Sequence, residues 1–244
     1  MKARVTGMLA AVAAVAIAGC GSSSGFAKES GSQILSAAAA ATRAANSYSA
    51  VGSLTQGAQQ MQVQLGLRKP SNLSADVTTG ADQFKLIIAD NTPYIWANAA
   101  YWRKQATGAA AKLAGDFAGK WFKTTAAEIG GIGSQFSSVG PTALADCIAS
   151  EMPNPKVDGT TSVNGTNAVL VTSNNGGTGG THKTTIAIAT SSPHYLLKIT
   201  SSGTKTTAGS GACSSGPESG QGSLTLSRWN STTVGPPANA VSLP

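Results

Sequence analysis

The side chains that could carry enzyme chemistry are few, and they form no catalytic or metal-binding pattern. The chain has two histidines, His182 and His194, and no carboxylate lies near either at the spacing that a catalytic triad or a zinc site requires. The ten Asp and Glu residues are scattered, so no close pair suggests glycosidase chemistry. The glycine-rich stretch 176–180 lacks the lysine and helix of a phosphate-binding loop. The sequence therefore predicts a protein that is not an enzyme and that uses no metal or cofactor.

Cys20 lies in a context that predicts covalent attachment of lipid. Lys2 and Arg4 precede an apolar run, Met8–Ala18, which is shorter than the roughly 20 residues that cross a bilayer but suits a signal peptide. The run leads into Ile17-Ala18-Gly19-Cys20, which resembles a bacterial lipobox. The resemblance implies that residues 1–19 are a lipoprotein signal peptide and that Cys20 becomes the acylated, palmitate-bearing N-terminus. The alternative is an ordinary secretory signal with an incidental cysteine.

The two other cysteines, Cys147 and Cys213, are 66 residues apart. Outside the cytoplasm two such cysteines can pair, and a loop of this length gives a disulfide roughly 4 kcal/mol in the chain-entropy account. We expect the disulfide; two separate buried thiols are the alternative.

Composition points to the same compartment. Only 11% of the residues are charged, Gly accounts for 29 residues, and the net charge of +7 includes no dense Lys/Arg run. This composition suits an extracytoplasmic, β-rich protein, and it provides no concentrated positive charge of the kind that binds nucleic acid. Behind Cys20, the Gly/Ser-rich residues 20–31 are predicted to be a tether, and residues 32–244 a single domain.

Hydrophobic periodicity predicts the order helix, strands, helix, strands. The alanine-rich stretch 32–48 is expected to be a helix capped by Ser32. Alternating residues then predict a hairpin around Gly57 and a strand meander through residue 96. Further helices are expected at 105–117 and 141–152, and the second half returns to strands.

Apolar residues at every second position predict a continuous apolar wall on one face of the sheet. Alanine-rich helices would cover this wall with short side chains and leave space for an acyl chain. Two tryptophans are expected at its rim, with their rings apolar and their N–H groups in water. The predicted lipid-binding residues are Met61, Val63, Leu65, Phe84, Leu86, Ile88, Tyr195, Leu197 and Ile199 in the wall and Trp96 and Trp121 at the rim.

Three segments resemble LppX/LprG-type lipoproteins of actinobacteria. They are residues 88–96 (IADNTPYIW), 120–123 (KWFK) and 224–230 (LTLSRWN), and the likeness extends as a pattern over residues 32–232. The resemblance implies an α+β fold like that of the LolA lipoprotein carriers, which is a strongly curved antiparallel half-barrel with helices packed in its concave face. The chain differs from that pattern in an insertion at 105–118 and in a long Gly/Ser loop at 209–222.

The resemblance also implies a function. We expect a monomeric lipoprotein, anchored through Cys20 to the outer face of the cytoplasmic membrane of an actinobacterium-like cell. It would bind or carry a lipid or glycolipid between sheet and helices, without catalysis. The alternative is a structural or interaction lipoprotein of the cell envelope, with a filled core and no ligand.

Overall fold

A single curved, unclosed antiparallel sheet dominates the protein, as expected. The computed structural model describes residues 23–56, 59–105, 115–127, 140–174, 181–203 and 220–242. Within these residues the strands are β1 Ser47–Gln56, β2 Gln59–Arg68, β3 Asn72–Thr79, β4 Asp82–Ala89, β5 Thr92–Ala97, β6 Phe122–Lys123, β7 Lys156–Val163, β8 Thr166–Asn174, β9 Lys183–Ala189, β10 Leu196–Ser202, β11 Gly220–Ser227 and β12 Val241–Ser242. They lie side by side in the order β12-β6-β5-β4-β3-β2-β1-β11-β10-β9-β8-β7.

The helices that accompany the sheet include α1 Ser23–Phe26, α2 Gly31–Ala44, α3 Ala99–Gln105 and α4 Pro141–Glu151. Residues 115–117 and 126–127 are helical as well. Pro141 lies in the first turn of α4, where its missing N–H costs no intrahelical bond. α2 and α4 pack against each other. Of the helix predicted at 105–117, residues 105 and 115–117 are helical, and residues 106–114 lie outside the described residues.

The two halves of the sheet meet where β1 pairs with β11. Gly52 faces Leu224 in this register, and a Cβ atom at Gly52 would lie only 1.8 Å from the Ser223 carbonyl oxygen. Only glycine therefore permits the strands to approach this closely at the seam.

One apolar core lies between the sheet and the helices. Ile34 and Ala38 of α2 are fully buried there, and Ile148 of α4 is nearly so. From the sheet, side chains of β1 to β4 and of β8 to β11 meet the helices in the same cluster. The helices therefore pack on one face of the curved sheet, as the sequence predicts.

The folded part begins earlier than residue 32, the predicted boundary. α1 lies within the stretch assigned to the tether, and Phe26 is buried in the main core. Ser30, not Ser32, caps α2: its hydroxyl accepts from the Gln33 N–H at 3.3 Å, and Gln33 accepts from the Ser30 N–H at 3.0 Å. This reciprocal capping box starts the helix at Gly31.

After β11, the chain crosses the face of the sheet opposite to the core. We call residues 231–242 the C-terminal strap. Thr232 is buried and its hydroxyl lies 2.8 Å from that of Ser49 in β1. At its end, Val241 pairs in parallel with Phe122 of β6 and so covers that edge of the sheet.

Candidate functional site

Most of the predicted wall does lie on the core face. Val63, Leu65 and Leu86 are buried members of the main core cluster. The other members on this face are partly buried and pack against the same cluster: Met61, Phe84, Ile88 and Ile199. The structure thus brings seven of the predicted residues together beneath the helices.

Trp96 and Trp121 were predicted at the rim of this wall, and that placement is wrong. Ile95 packs on the core, so the next side chain in the strand, Trp96, points to the opposite face. There the Lys85 ammonium lies 4.9 Å from the Trp96 ring centroid. Ile95 pairs with Phe122, and this register places Trp121 beside Trp96 on the same outer face.

Tyr195, Leu197 and Ile199 do not share one face, contrary to the prediction. The pairing of β10 with β9 shifts between Leu196 and Lys198, as in a β-bulge. Leu196 and Ile199 consequently both face the main core, whereas Leu197 packs with a second cluster on the outer face, formed by Ala168, Ala187 and Ala189. The single extra residue reverses the alternation.

An apolar opening lies at one end of the wall, between β2, β3, β4 and the start of α4. We call it the mouth. Its volume is about 230 Å³, and Leu67, Leu73, Ile88 and Pro141 supply its apolar lining. Pockets that enclose drug-sized ligands are about 300–1,000 Å³. The mouth can therefore hold part of an acyl chain and not a whole lipid.

Cations border the mouth. Arg68 is exposed and Lys69 half-buried in its lining. The Lys69 ammonium donates to the Arg43 carbonyl oxygen at 2.7 Å, and the Arg43 guanidinium pairs with Asp146 at 2.5 Å. This arrangement places positive charge beside an apolar opening, which suits a ligand with an acyl chain and an anionic head.

A groove of about 400 Å³ lies at the same end of the sheet. Its lining includes Val163, Ser192, Leu197, Arg228 and Trp229. The Trp229 ring stacks on Tyr195 with centroids 4.8 Å apart, and its indole N–H donates to the Leu196 carbonyl oxygen at 3.1 Å. Tyr195 thus belongs to an aromatic cluster at the end of the sheet rather than to the wall.

The buried member of this aromatic cluster is Tyr48, whose ring centroid lies 5.1 Å from that of Trp229. Burial raises the pKa of the Tyr48 phenol well above its ordinary value, because ionisation would place a charge in the apolar core. The group is therefore neutral at physiological pH.

The cysteine predictions fall partly outside the described residues. Cys147, on α4, is disulfide-bonded. Cys213 and Cys20 lie outside the described residues, so the Cys147–Cys213 pairing and the acylation of Cys20 stay predictions.

Among the described residues there is no group of three or more His, Cys, Asp or Glu side chains that could hold a metal ion. No helix in that part of the chain has the length and apolar character to cross a membrane.

Comparison with solved structures identifies the architecture. The crystal structure of LprF from Mycobacterium bovis matches with a TM-score of 0.50 and 16% identity, covering 85% of this chain and 96% of that one. The protein has the fold of LprF. The Mycobacterium tuberculosis lipoprotein LppX aligns over 83% of this chain and 97% of its own, at 13% identity and a TM-score of 0.47.

The expected resemblance to LppX/LprG-type lipoproteins is therefore confirmed at the level of the fold. No family model matches the sequence. No curated protein matches it either.

Sequence reasoning missed the residues that border the mouth. Leu67 and Leu73 flank the turn between β2 and β3, and Arg68 and Lys69 lie in or next to that turn. The alternation of β2 continues through Leu67, which is the signal that could have identified it. The sequence around Pro141 contains no signal that Pro141 contacts this turn, because only tertiary packing brings the two together.

Proposed function

We propose that this protein is a lipid-binding lipoprotein of the cell envelope that holds an acyl chain against the core face of its sheet and performs no chemistry on it. The observation that carries the proposal is the mouth: an apolar opening between sheet and helix, bordered by Arg68 and Lys69. Burying one methylene group contributes about 0.8 kcal/mol, so even a partly inserted chain gives useful affinity.

The fold supports this proposal. The protein shares with LprF a large curved, unclosed antiparallel sheet with few helices. Charges at the mouth suit a phospholipid or acylated glycan whose head remains in water.

The anchor is the second part of the proposal. The lipobox-like sequence Ile17-Ala18-Gly19-Cys20 supports acylation of Cys20 and attachment to the outer face of the cytoplasmic membrane. We expect Cys20→Ala to release the protein or leave it unprocessed. Palmitate label on the Cys20→Ala protein would contradict this part.

The ligand is tested by mass spectrometry of organic extracts from the purified protein lacking its anchor. Ile88→Trp fills the mouth from a half-buried position and should remove most of the extracted lipid while the protein stays folded. Leu86→Trp is unsuitable, because Leu86 is fully buried and a larger ring would overpack the core. The matched control is Ile87→Trp, on the outer face of the same strand. Equal lipid in the Ile88→Trp and Ile87→Trp proteins would contradict the proposed site.

One observation favours a second candidate, a structural lipoprotein without ligand. Leu86 and Ile34 have no exposed surface, so the middle of the described wall is packed by helices and not open. An extract without lipid, together with an unchanged melting temperature when lipid vesicles are added, would select this alternative.

A further inference from the structure

A cavity on the outer face of the sheet plays no part in the proposed lipid site. We call it the outer cavity. Its volume is about 370 Å³, which falls within the range of about 300–1,000 Å³ for small-molecule sites. Most of the side chains that line it are polar, and they include Ser49, Gln64, Ser74, Asp76, Lys85 and Thr233. This face of the sheet therefore offers a site for a polar ligand.

Several of the lining groups have no partner within the described part of the chain. Ser74 and Ser227 are half-buried at the outer cavity, and neither hydroxyl makes a hydrogen bond to another described residue. The amide of Gln64 and the guanidinium of Arg228 are exposed there, and they too have no partner among those residues. Polar groups that are shielded from water normally have a hydrogen-bond partner. These groups are therefore available to a ligand.

The charges that line the outer cavity are mostly paired with each other. Lys85 pairs with Asp76 at 3.0 Å, and the amide of Gln83 donates to the same carboxylate at 2.9 Å. A carboxylate has about four lone-pair positions, so Asp76 can accept from a further donor. Arg228 is the only other charged residue in the lining. The cavity thus presents fixed donors and acceptors and one unpaired cation.

Aromatic rings lie beside these polar groups. Trp121 is half-buried and lines the outer cavity. The groove described above adjoins the outer cavity, because Ser227 and Arg228 line both. In the groove the lining includes the stacked rings of Tyr195 and Trp229. Each of the two neighbouring cavities therefore combines an aromatic ring with hydroxyl groups.

We infer that the outer cavity and the groove together bind a short oligosaccharide of neutral sugar units. Each sugar hydroxyl both donates and accepts hydrogen bonds, as this lining does, and the apolar C–H face of a sugar ring packs on an aromatic ring. An acyl chain would leave the polar lining without partners. A peptide could not add a strand here, since β1 to β4 are paired on both sides. A membrane or a nucleic acid would need several unpaired cations, and Arg228 is one.

Two adjacent residues of β4 separate this site from the mouth. Ile87 lines the outer cavity, Ile88 lines the mouth on the other face, and both are half-buried. The full chain in phosphatidylcholine vesicles is dialysed to equilibrium with radiolabelled maltotriose, cellotriose or mannotriose, with empty vesicles as the blank. We expect saturable binding of at least one trisaccharide, several-fold weaker in Ile87→Trp and unchanged in Ile88→Trp. The lipid recovered by extraction should show the reverse pattern.

The outcomes of this experiment are distinct. Absence of saturable binding for all three trisaccharides at millimolar concentration would overturn the inference. Trisaccharide binding that is lost in Ile88→Trp and kept in Ile87→Trp would place the sugar at the mouth, and it would overturn the inference as well. Trisaccharide binding by a chain whose extract holds no lipid supports the outer cavity and refutes only the proposed lipid site.

Trp121 and Trp96 provide a matched pair of variants. The two indoles are half-buried on the outer face of neighbouring strands, but Trp96 is covered by the Lys85 ammonium and does not line the outer cavity. We expect Trp121→Leu to weaken trisaccharide binding several-fold and Trp96→Leu to change it little. Equal affinities of the two variants would contradict the site.

Arg228 tests the boundary between the two cavities. Its φ of 54° is a conformation that asparagine tolerates, so Arg228→Asn removes the guanidinium without new backbone strain. We expect this variant to bind the trisaccharide several-fold more weakly in the same dialysis experiment. Unchanged affinity in Arg228→Asn would contradict a ligand that extends from the outer cavity into the groove.

Discussion

The Phe26 ring lies parallel to the His194 imidazole, with centroids 3.6 Å apart and planes 7° apart. The contact joins the segment before α2 to the turn between β9 and β10, and Phe26 also enters the main core. His194 is itself fixed, because its Nδ1 lies 3.0 Å from the Ala189 carbonyl oxygen. The start of the folded domain is thus attached to the half of the sheet that β7 to β11 form.

We expect Phe26→Ala to destabilise the protein by about 3 kcal/mol, since truncation of a buried phenylalanine leaves a cavity. Urea unfolding followed by circular dichroism measures the free energy of unfolding. Lys28→Ala, at an exposed position two residues away, is the control and should change it little. Equal stabilities for the two variants would show that residues 23–29 are not part of the cooperative fold.

We expect Ser30→Ala to cost about 1 kcal/mol, because it removes the acceptor that satisfies the Gln33 N–H at the start of α2. Ser32→Ala is the matched control: Ser32 is exposed within the helix, and alanine is the better helix former. Thermal unfolding of the two variants should therefore give opposite shifts in melting temperature. A larger loss in Ser32→Ala would mean that the helix starts where the sequence analysis placed it.

The error over Ser30 and Ser32 shows what sequence patterns can and cannot predict here. Strand alternation predicted the hairpin of β1 and β2 and the strand β3, because one face of each strand is buried. It failed at Leu197, where a bulge that depends on pairing with β9 reverses the alternation.

The residues of the candidate site could be predicted only where the alternation within a single strand shows which side chains are buried. Val63, Leu65 and Leu86 were found by alternation, whereas Trp96 and Trp121 were assigned by residue type alone. The mouth joins the turn after β2 to the start of α4, and the C-terminal strap meets β6, over long sequence separations. Patterns within a short stretch of sequence cannot predict contacts over such separations.

The disulfide prediction can be tested by thiol titration. Cys147 is disulfide-bonded, and we expect Cys213 to be its partner. The mature protein should then show no free thiol in denaturant without reductant, and Cys213→Ser should expose one thiol and lower stability by up to roughly 4 kcal/mol. Cys213→Ser protein that still lacks a titratable thiol would contradict this pairing.

Burial of Tyr48 predicts a loss of stability at high pH. Its pKa is raised in the folded protein, so above the ordinary tyrosine pKa of about 10 the unfolded chain releases a proton that the folded chain keeps. The free energy of unfolding should therefore fall as the pH rises through about 10.

The loss should be shallower in Tyr48→Phe, which removes this titrating group. Tyr94→Phe, at a half-buried position, is the control for removing a phenol hydroxyl. The measurement is urea unfolding at several pH values around the ordinary tyrosine pKa. Parallel pH profiles for Tyr48→Phe and the unsubstituted protein would contradict the assignment.

The C-terminal strap should contribute to stability through Thr232. Its hydroxyl donates to the Arg228 carbonyl oxygen at 3.1 Å and lies 2.8 Å from the Ser49 hydroxyl. Thr232→Val keeps the shape of the side chain and leaves both partners without it. We expect the free energy of unfolding to fall by about 1–3 kcal/mol, because the two partly buried groups lose a hydrogen-bond partner. Thr233→Val, at the exposed neighbouring position, should change little.

A double-mutant cycle with Ser49→Ala separates the hydrogen bond from other effects. If the two hydroxyls interact, the double variant loses less stability than the sum of the single losses. Additive losses would show that the strap is held by its other contacts, such as the Thr232 N–H to the Ser47 hydroxyl at 3.1 Å. Urea unfolding gives all four free energies. The result matters for the outer face, because Thr232 and Thr233 line a cavity of about 370 Å³ there together with Trp121.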